Sequence, residues 1–198
     1  MPQFDLRGIQ VAKYNNNSGT ISYTNRQAVG DAMTANLEMR YAEGRLYAES
    51  TLAEFMKKAT GGTISLGVKY IKDAAQQLMF GSRSKSRTVT YQDSGATATA
   101  TVASLILGAK TDSAYVGIGF YAPDMVDGVE KYTCVKVSKC LFGPPSMSLQ
   151  TAGDSIQFNT PTTSGEFLAD DSTNQDMLEV AICDTEAAAI AWVAAALT

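Results

Sequence analysis

The chain has 198 residues, 45% of them apolar and 18% charged, with a net charge of −4 and no histidine. That length suits one domain with a sizeable core, and the acidic balance lacks the basic footprint that holds phosphates tightly. Without histidine there is no Ser-His-Asp triad, Cys-His pair or His-ligated metal, and the three cysteines show no Cys-x-x-Cys spacing.

In chain order, Met1–Arg7 carries no apolar signal core, because Asp5 and Arg7 would interrupt one. The expectation is a protein made and folded in a cytoplasm. Ile9–Tyr14 and Thr20–Thr24 read as strands joined by the turn Asn15-Asn-Asn-Ser-Gly19, whose residues tolerate positive φ. From Ala32 to Ala42 the alternation is strict. Met33, Ala35, Leu37, Met39 and Tyr41 fall on one face, and Thr34, Asn36, Glu38 and Arg40 on the other, which predicts a half-buried antiparallel strand. Thr60-Gly-Gly-Thr63 reads as a turn between Leu52–Ala59 and a strand carrying Ile64, Leu66, Val68 and Tyr70.

Asp73 is placed to cap a helix over Ala74–Phe80 that Gly81 stops. The Ser/Thr/Ala-rich stretch Ser82–Gly108 predicts a mobile loop in its first half, with an edge strand at Thr99–Leu107. Its basic run Arg83-Ser-Lys85-Ser-Arg87 reads as a solvated loop. Next, Val116, Ile118 and Phe120 alternate with Tyr115, Gly117, Gly119 and Tyr121. The glycines lie within the strand rather than in a strand-to-helix turn, so they imply close backbone approach to another strand or subunit, not phosphate binding.

Pro123–Gly128 predicts a turn before a strand at Lys131–Leu141, which Gly143-Pro-Pro145 ends. A last strand pair is expected at Ser155–Asn159 and Glu166–Leu168. Asp184 is placed to cap a helix over Thr185–Leu197, with Ile190, Val193, Ala194 and Leu197 as its apolar stripe and Trp192 on a flank. Its apolar part is too short for the ~20 residues of a membrane span.

Many strands with two helices imply a mainly β fold with peripheral α-helices (α+β). We expect one domain over residues 1–198, an antiparallel β-sandwich or partly open barrel with a flanking helix, a C-terminal helix, and residues 82–103 as a mobile insertion. Its exposed edges must be blunted or used for assembly.

The carboxylates Asp170-Asp171, Asp124 with Asp127, and Glu43 with Glu49 are candidates for acid/base work. None adjoins an aromatic pocket signature of the kind that raises a pKa, and they read as loop decoration. Asp170–Asp176 resembles an oxygen-rich calcium loop but lacks its central Gly and has Ala181 at position twelve. Neither catalytic residues nor a metal or cofactor are expected. Cys134 and Cys140 lie six residues apart in one strand, ~20 Å at ~3.3 Å per residue and beyond disulfide reach. Cys183 stays open as a partner, and three reduced, mostly buried thiols are the expectation.

Several segments resemble the major tail protein of Gram-positive siphophages, the phi13-type family. They are Phe4-Asp-Leu-Arg-Gly-Ile9, Ala42-Glu-Gly-Arg-Leu-Tyr-Ala48, Gly61-Gly-Thr-Ile-Ser-Leu-Gly67, Val116-Gly-Ile-Gly-Phe-Tyr121, Phe142-Gly-Pro-Pro145, Phe158-Asn-Thr-Pro161 and Asp184–Val193. They occur in matching order and spacing, and Ser82–Ala103 is the least family-like part. The resemblance implies a tail-tube fold, related to other phage tubes and to type VI secretion tubes, whose subunits form stacked six-membered rings around a tape-measure protein. It implies a virion tail assembled in the host cytoplasm, tail terminator and distal tail proteins at its ends, DNA passing through without tight binding, and no membrane. Because strands of six subunits join edge to edge around the channel in that family, Thr34, Asn36, Glu38 and Arg40 are expected to face the lumen. Gly117, Gly119, Tyr115 and Tyr121 are expected at a subunit contact. The alternatives are a monomeric β-sandwich module binding carbohydrate or a receptor, and a tube subunit of a tail-like bacteriocin or defective prophage.

Overall fold

The computed structural model describes residues 5–48, 51–109, 111–146, 151 and 160–198. The elements are β1 (Arg7–Asn17), β2 (Thr20–Ala28), β3 (Ala32–Ala48), β4 (Thr51–Val68), α1 (Asp73–Phe80), β5 (Arg83–Asp93), β6 (Ala96–Ile106), β7 (Val116–Val126), β8 (Val129–Phe142), β9 (Thr162–Leu168), β10 (Leu178–Cys183) and α2 (Glu186–Ala196). Among the described residues the fold is mainly β, antiparallel throughout, with two short peripheral helices and no closed barrel.

The main sheet runs β2-β1-β7-β8-β9-β4-β3, with β10 also on β8. Ile9 and Val11 of β1 share one buried cluster with Ile64, Leu66 and Val68 of β4, although β7, β8 and β9 lie between them in the sheet. The sheet must therefore curl around that core, and α1 closes it with Ala75, Leu78, Met79 and Phe80. A second core lies on the opposite face, where α2 sets Ala189, Val193 and Leu197 against Ala12, Tyr14, Tyr23, Tyr121 and Cys134. The alternation of β1 serves both cores, Ile9 and Val11 inward and Ala12 and Tyr14 towards α2.

Turn chemistry explains the hairpins. Ser18 and Gly19 both take positive φ, and Gly19 N–H donates to Asn16 Oδ1 at 2.9 Å, so β1 and β2 meet in a tight primed turn. The β7–β8 turn is confined to Asp127 and Gly128, also at positive φ. Pro123, expected in that turn, instead lies in β7 opposite Tyr132. Proline is tolerated there because β1 pairs with β7 only as far as Tyr121, leaving no ladder bond for the missing N–H.

Further expectations are corrected. Thr60-Gly-Gly-Thr63 is no turn, since β4 runs straight through it with a register shift between Arg40 and Tyr41. Gly61 there holds φ +133, and the two glycines admit the Phe167 backbone and ring, so they mark a bulge and a close approach. The first half of Ser82–Gly108 is not a mobile loop but the strand β5, which turns at Ser94-Gly95 and pairs with β6, the strand expected at Thr99–Leu107, in a two-stranded ribbon. The α2 stripe is Ala189, Val193 and Leu197, while Ile190 is exposed. Thr185 caps α2 by accepting from Ala188 N, and Lys72 rather than Asp73 holds the N-cap position of α1, which Gly81 ends in the left-handed conformation. The strand expected at Ser155–Asn159 lies outside the described residues.

Candidate functional site

The two faces of β3 separate as the alternation predicts. Ala35, Leu37 and Met39 pack on the main core, whereas Thr34, Asn36, Glu38 and Arg40 are exposed. Across the sheet Asn36 lies opposite Ser65, and Ser65 opposite Ser164; Glu38 lies opposite Thr63, and Thr63 opposite Glu166. The result is a polar face with an open depression among Asn36, Glu38, Thr63, Ser65 and Glu166. Arg40 reaches over β4 and donates to Glu166 at 2.6 Å with both groups exposed, an interaction of modest strength. Among the described residues Glu38 has no cation within 4 Å. Arg40 thus neutralises Glu166 rather than Glu38, and the face keeps an acidic excess.

Beyond Arg40 and Gly61, β3 and β4 leave the sheet. From Tyr41 opposite Ala59 to Ala48 opposite Thr51 they pair only with each other, since β9 pairs with β4 no further than Gly62. This ribbon exposes Tyr41, Leu46, Tyr47, Phe55 and Met56, the last at 73%. Its internal contacts are small. Lys57 lies 4.3 Å from the Tyr41 ring centroid and 3.3 Å from Glu43, and Arg45 stacks over Phe55 at 5.6 Å. The β5–β6 ribbon likewise pairs only with itself, and β5 is exposed along its whole length. Its faces differ. Arg83, Lys85, Arg87, Val89 and Tyr91 share one face with Val102 and Ala100, while Ser84, Ser86, Thr88 and Thr90 share the other with Thr99 and Thr101.

Isolated two-stranded hairpins are marginal in water, and exposed apolar patches of this kind mark interaction surfaces. The sequence signal was present in the alternation of Arg83, Lys85 and Arg87 with Ser84 and Ser86. With no apolar face to bury, it read as a loop.

Gly117 and Gly119 make their close approach inside the subunit. A Cβ on Gly117 would strike the Tyr23 ring, and one on Gly119 would lie 3.0 Å from Val193 Cγ1. Neither glycine has positive φ, so their role is space for α2. Tyr121 is buried in the same core, and its hydroxyl donates to Glu186 Oε1 at 3.0 Å. Burial pushes that hydroxyl's pKa up to about 12. Of the four residues expected at a subunit contact, only Tyr115 remains well exposed, with Lys139 Nζ 5.0 Å from its ring.

The candidate carboxylates do not converge. Asp170 Oδ1 accepts from Ser172 N–H, Ser172 O–H and Asp176 N–H, so the calcium-like loop is closed on its own groups. Asp171 accepts from Lys139 and Tyr14, which hold its carboxyl below the usual range. Glu43 belongs to the ribbon, and Glu49 lies outside the described residues. Asp124 is 1% exposed, accepts at one oxygen from Thr133 at 3.3 Å, and has no partner for the other. Nothing in the sequence marked it as buried.

The thiols are free. A register shift in the β7–β8 ladder lets Cys134 face α2 and Cys140 the main core. Cys134 and Cys183 sulfurs lie 3.7 Å apart, beyond the ~2.05 Å of a bond. Burial pushes the Cys134 thiol up to about 12 and that of Cys140 higher still. Among the described residues no helix is long and apolar enough to cross a membrane. The chain matches no protein-family model, and no curated protein matches it.

Proposed function

We propose that this chain is a self-assembling structural subunit, the major tail-tube protein of a long-tailed bacteriophage, which polymerises as stacked six-membered rings. The observation that carries the reading is the pair of β-ribbons standing clear of the core. Ordering each residue costs about 1–2 kcal/mol in backbone entropy, and these ribbons bury little that would offset it. A neighbouring copy supplies the missing surface: covering a side chain such as Tyr47, Phe55 or Met56 contributes roughly 1.5–3 kcal/mol each. The collinear resemblance in the sequence names the assembly.

In that assembly the polar face of β3, β4 and β9 lines the channel. Its excess carboxylate repels a phosphate backbone, so DNA passes without being held. The same lumen accommodates a tape-measure protein before DNA enters, and terminator and distal tail proteins close the ends. The open depression on this face has no aromatic platform among its lining side chains, which favours the tube over a carbohydrate-binding module.

The test is sedimentation of the purified chain over a wide concentration range, with negative-stain microscopy of the heaviest fraction. Rings or hollow fibres are expected. A strictly monomeric species at every concentration and salt, with no tubes in lysates of producing cells, overturns the reading.

A further inference from the structure

A groove lies between the start of β3 and the β7–β8 hairpin, walled by Met33 and Ala35 and floored by Phe120, Ala122, Thr133 and Val135. It continues onto the edge strand β10, where Val180 lies opposite Val135 and Ile182 opposite Thr133, 56% and 55% exposed. Behind Thr133, whose hydroxyl donates to it at 3.3 Å, lies Asp124, next after Ala122 on the same face of β7, buried and with one carboxylate oxygen unpartnered. The adjoining turn adds Asp127, whereas Glu130 lies on the opposite face of β8, where it accepts from the Tyr132 hydroxyl at 3.1 Å. The cations nearby are already engaged, Arg7 by Asp5 and Glu186, and Lys131 by Asp184 at 2.8 Å. Neither Asp124 nor Asp127 has a cationic partner within 4 Å among the described residues.

The β5–β6 ribbon is the complement of this groove. On one face Arg83, Lys85 and Arg87 form a basic row that runs on into Val89, Tyr91 and Val102. Alternate residues of a strand are spaced by ~6.6 Å, so the three cations span ~13 Å. No carboxylate lies within 4 Å of them among the described residues. One molecule thus presents a basic-and-apolar face and an apolar groove with an acidic end, each unmatched among the described residues.

We infer that the basic face of the β5–β6 ribbon of one copy seats in the groove between β3 and the β7–β8–β10 face of the next. The apolar end of the ribbon covers Val180, Ile182 and the groove floor, and the basic row lies along the Asp124–Asp127 end of the hairpin. Donor and acceptor are different patches, so the contact is heterologous and propagates from copy to copy. A desolvated carboxylate lacking a partner is costly, and the basic row seated along that end lowers the cost only in the assembly. The inference rests on the self-assembly reading and names its contact.

The experiment uses the full chain with benzoylphenylalanine in place of Tyr91, photolysed under assembling conditions, with the cross-linked peptides identified by mass spectrometry. Cross-links to Phe120–Val135 or Leu178–Cys183 of another copy are expected. Cross-links to the β3–β4 ribbon or to nucleic acid overturn the inference while leaving self-assembly standing. In parallel, the R83E/K85E/R87E variant and the D127K variant, all exposed positions, should each raise the assembly concentration at least tenfold, and the combined variant should regain at least part of the loss. Reversals that leave assembly unchanged sink the proposed contact. A wild-type chain that stays monomeric throughout sinks the self-assembly reading along with it.

Discussion

Replacing Gly117 by alanine tests how α2 is seated. The added methyl would land on the Tyr23 ring, with Leu197 Cδ2 3.1 Å away. Tyr23 cannot yield easily, because its hydroxyl donates to the Ser138 carbonyl at 2.9 Å in a buried site and Lys136 lies 5.1 Å from its ring. Overpacking of this kind costs about 1–3 kcal/mol, and stranding the Ser138 carbonyl adds about 1 kcal/mol or more. The expected loss is roughly 2–4 kcal/mol, which at about 2–4 °C per kcal/mol for a chain of this size lowers Tm by roughly 5–15 °C. Gly119→Ala should cost less, about 1 kcal/mol, because it meets the tips of Val193 and Leu197 on a helix that can shift. Calorimetry of both variants and of Gly117→Ala in a Tyr23→Phe background checks the argument. If displacement of the Tyr23 hydroxyl carries part of the cost, the double variant falls short of additivity by about 1 kcal/mol. A Gly117→Ala protein melting within about 1 °C of the wild type while failing to assemble would refute the reasoning and return Gly117 to the subunit boundary.

Serine at both Phe55 and Met56 should leave the monomer's Tm almost unchanged, since both are exposed, yet raise the assembly concentration at least tenfold in sedimentation. Cys134 and Cys140 should resist iodoacetamide in the native protein because their thiols stay protonated, and denaturation without reductant should release three titratable thiols. The carboxyls of Asp171, Asp184 and Glu186 are held low by Lys139, Lys131 and Arg7 respectively. Their contribution is complete above the ordinary carboxyl range and is lost as pH falls through the folded values; acid melts should show it, and Glu186→Gln should flatten that limb. At the alkaline end, burial raises the Tyr14 and Tyr121 hydroxyls to about 12. Stability should therefore persist below pH ~10 and fall between ~10 and 12, as followed by tyrosinate absorbance alongside far-ultraviolet dichroism.

What the sequence made legible was wherever one face of an element meets the core. The Ala32–Ala42 alternation placed Leu37 and Met39 inward and Glu38 and Arg40 outward, and Gly81 marked its helix end, because burial writes period two and caps write their own residues. The misreadings have a shared cause. In β5 and β6 no face is buried, so the pattern carries no apolar signal and only cross-strand pairing holds the ribbon. Gly61-Gly62 looked like a turn because glycine marks close approach as readily as reversal. The short edge strand Leu178–Cys183 went unread because only its pairing with β8 makes it a strand. The proposed groove was invisible for a further reason: Met33 and Ala35 meet Phe120 and Val135 only through the curl of the sheet.

The bulged strand β8 has a bearing on how the chain folds. It pairs with β7 along nearly its whole length and with β10 and then β9 on its other side, and it feeds side chains to both cores. Neither core keeps its wall if β8 comes away, so the two should melt together in one calorimetric transition. Its amides should exchange with deuterium only through global opening, whereas those of the ribbons exchange through local fraying. Because β1 must find β7, and β4 must find β9, each across more than ninety intervening residues, folding should be slow. Release of nascent chains from the ribosome would then precede formation of either core.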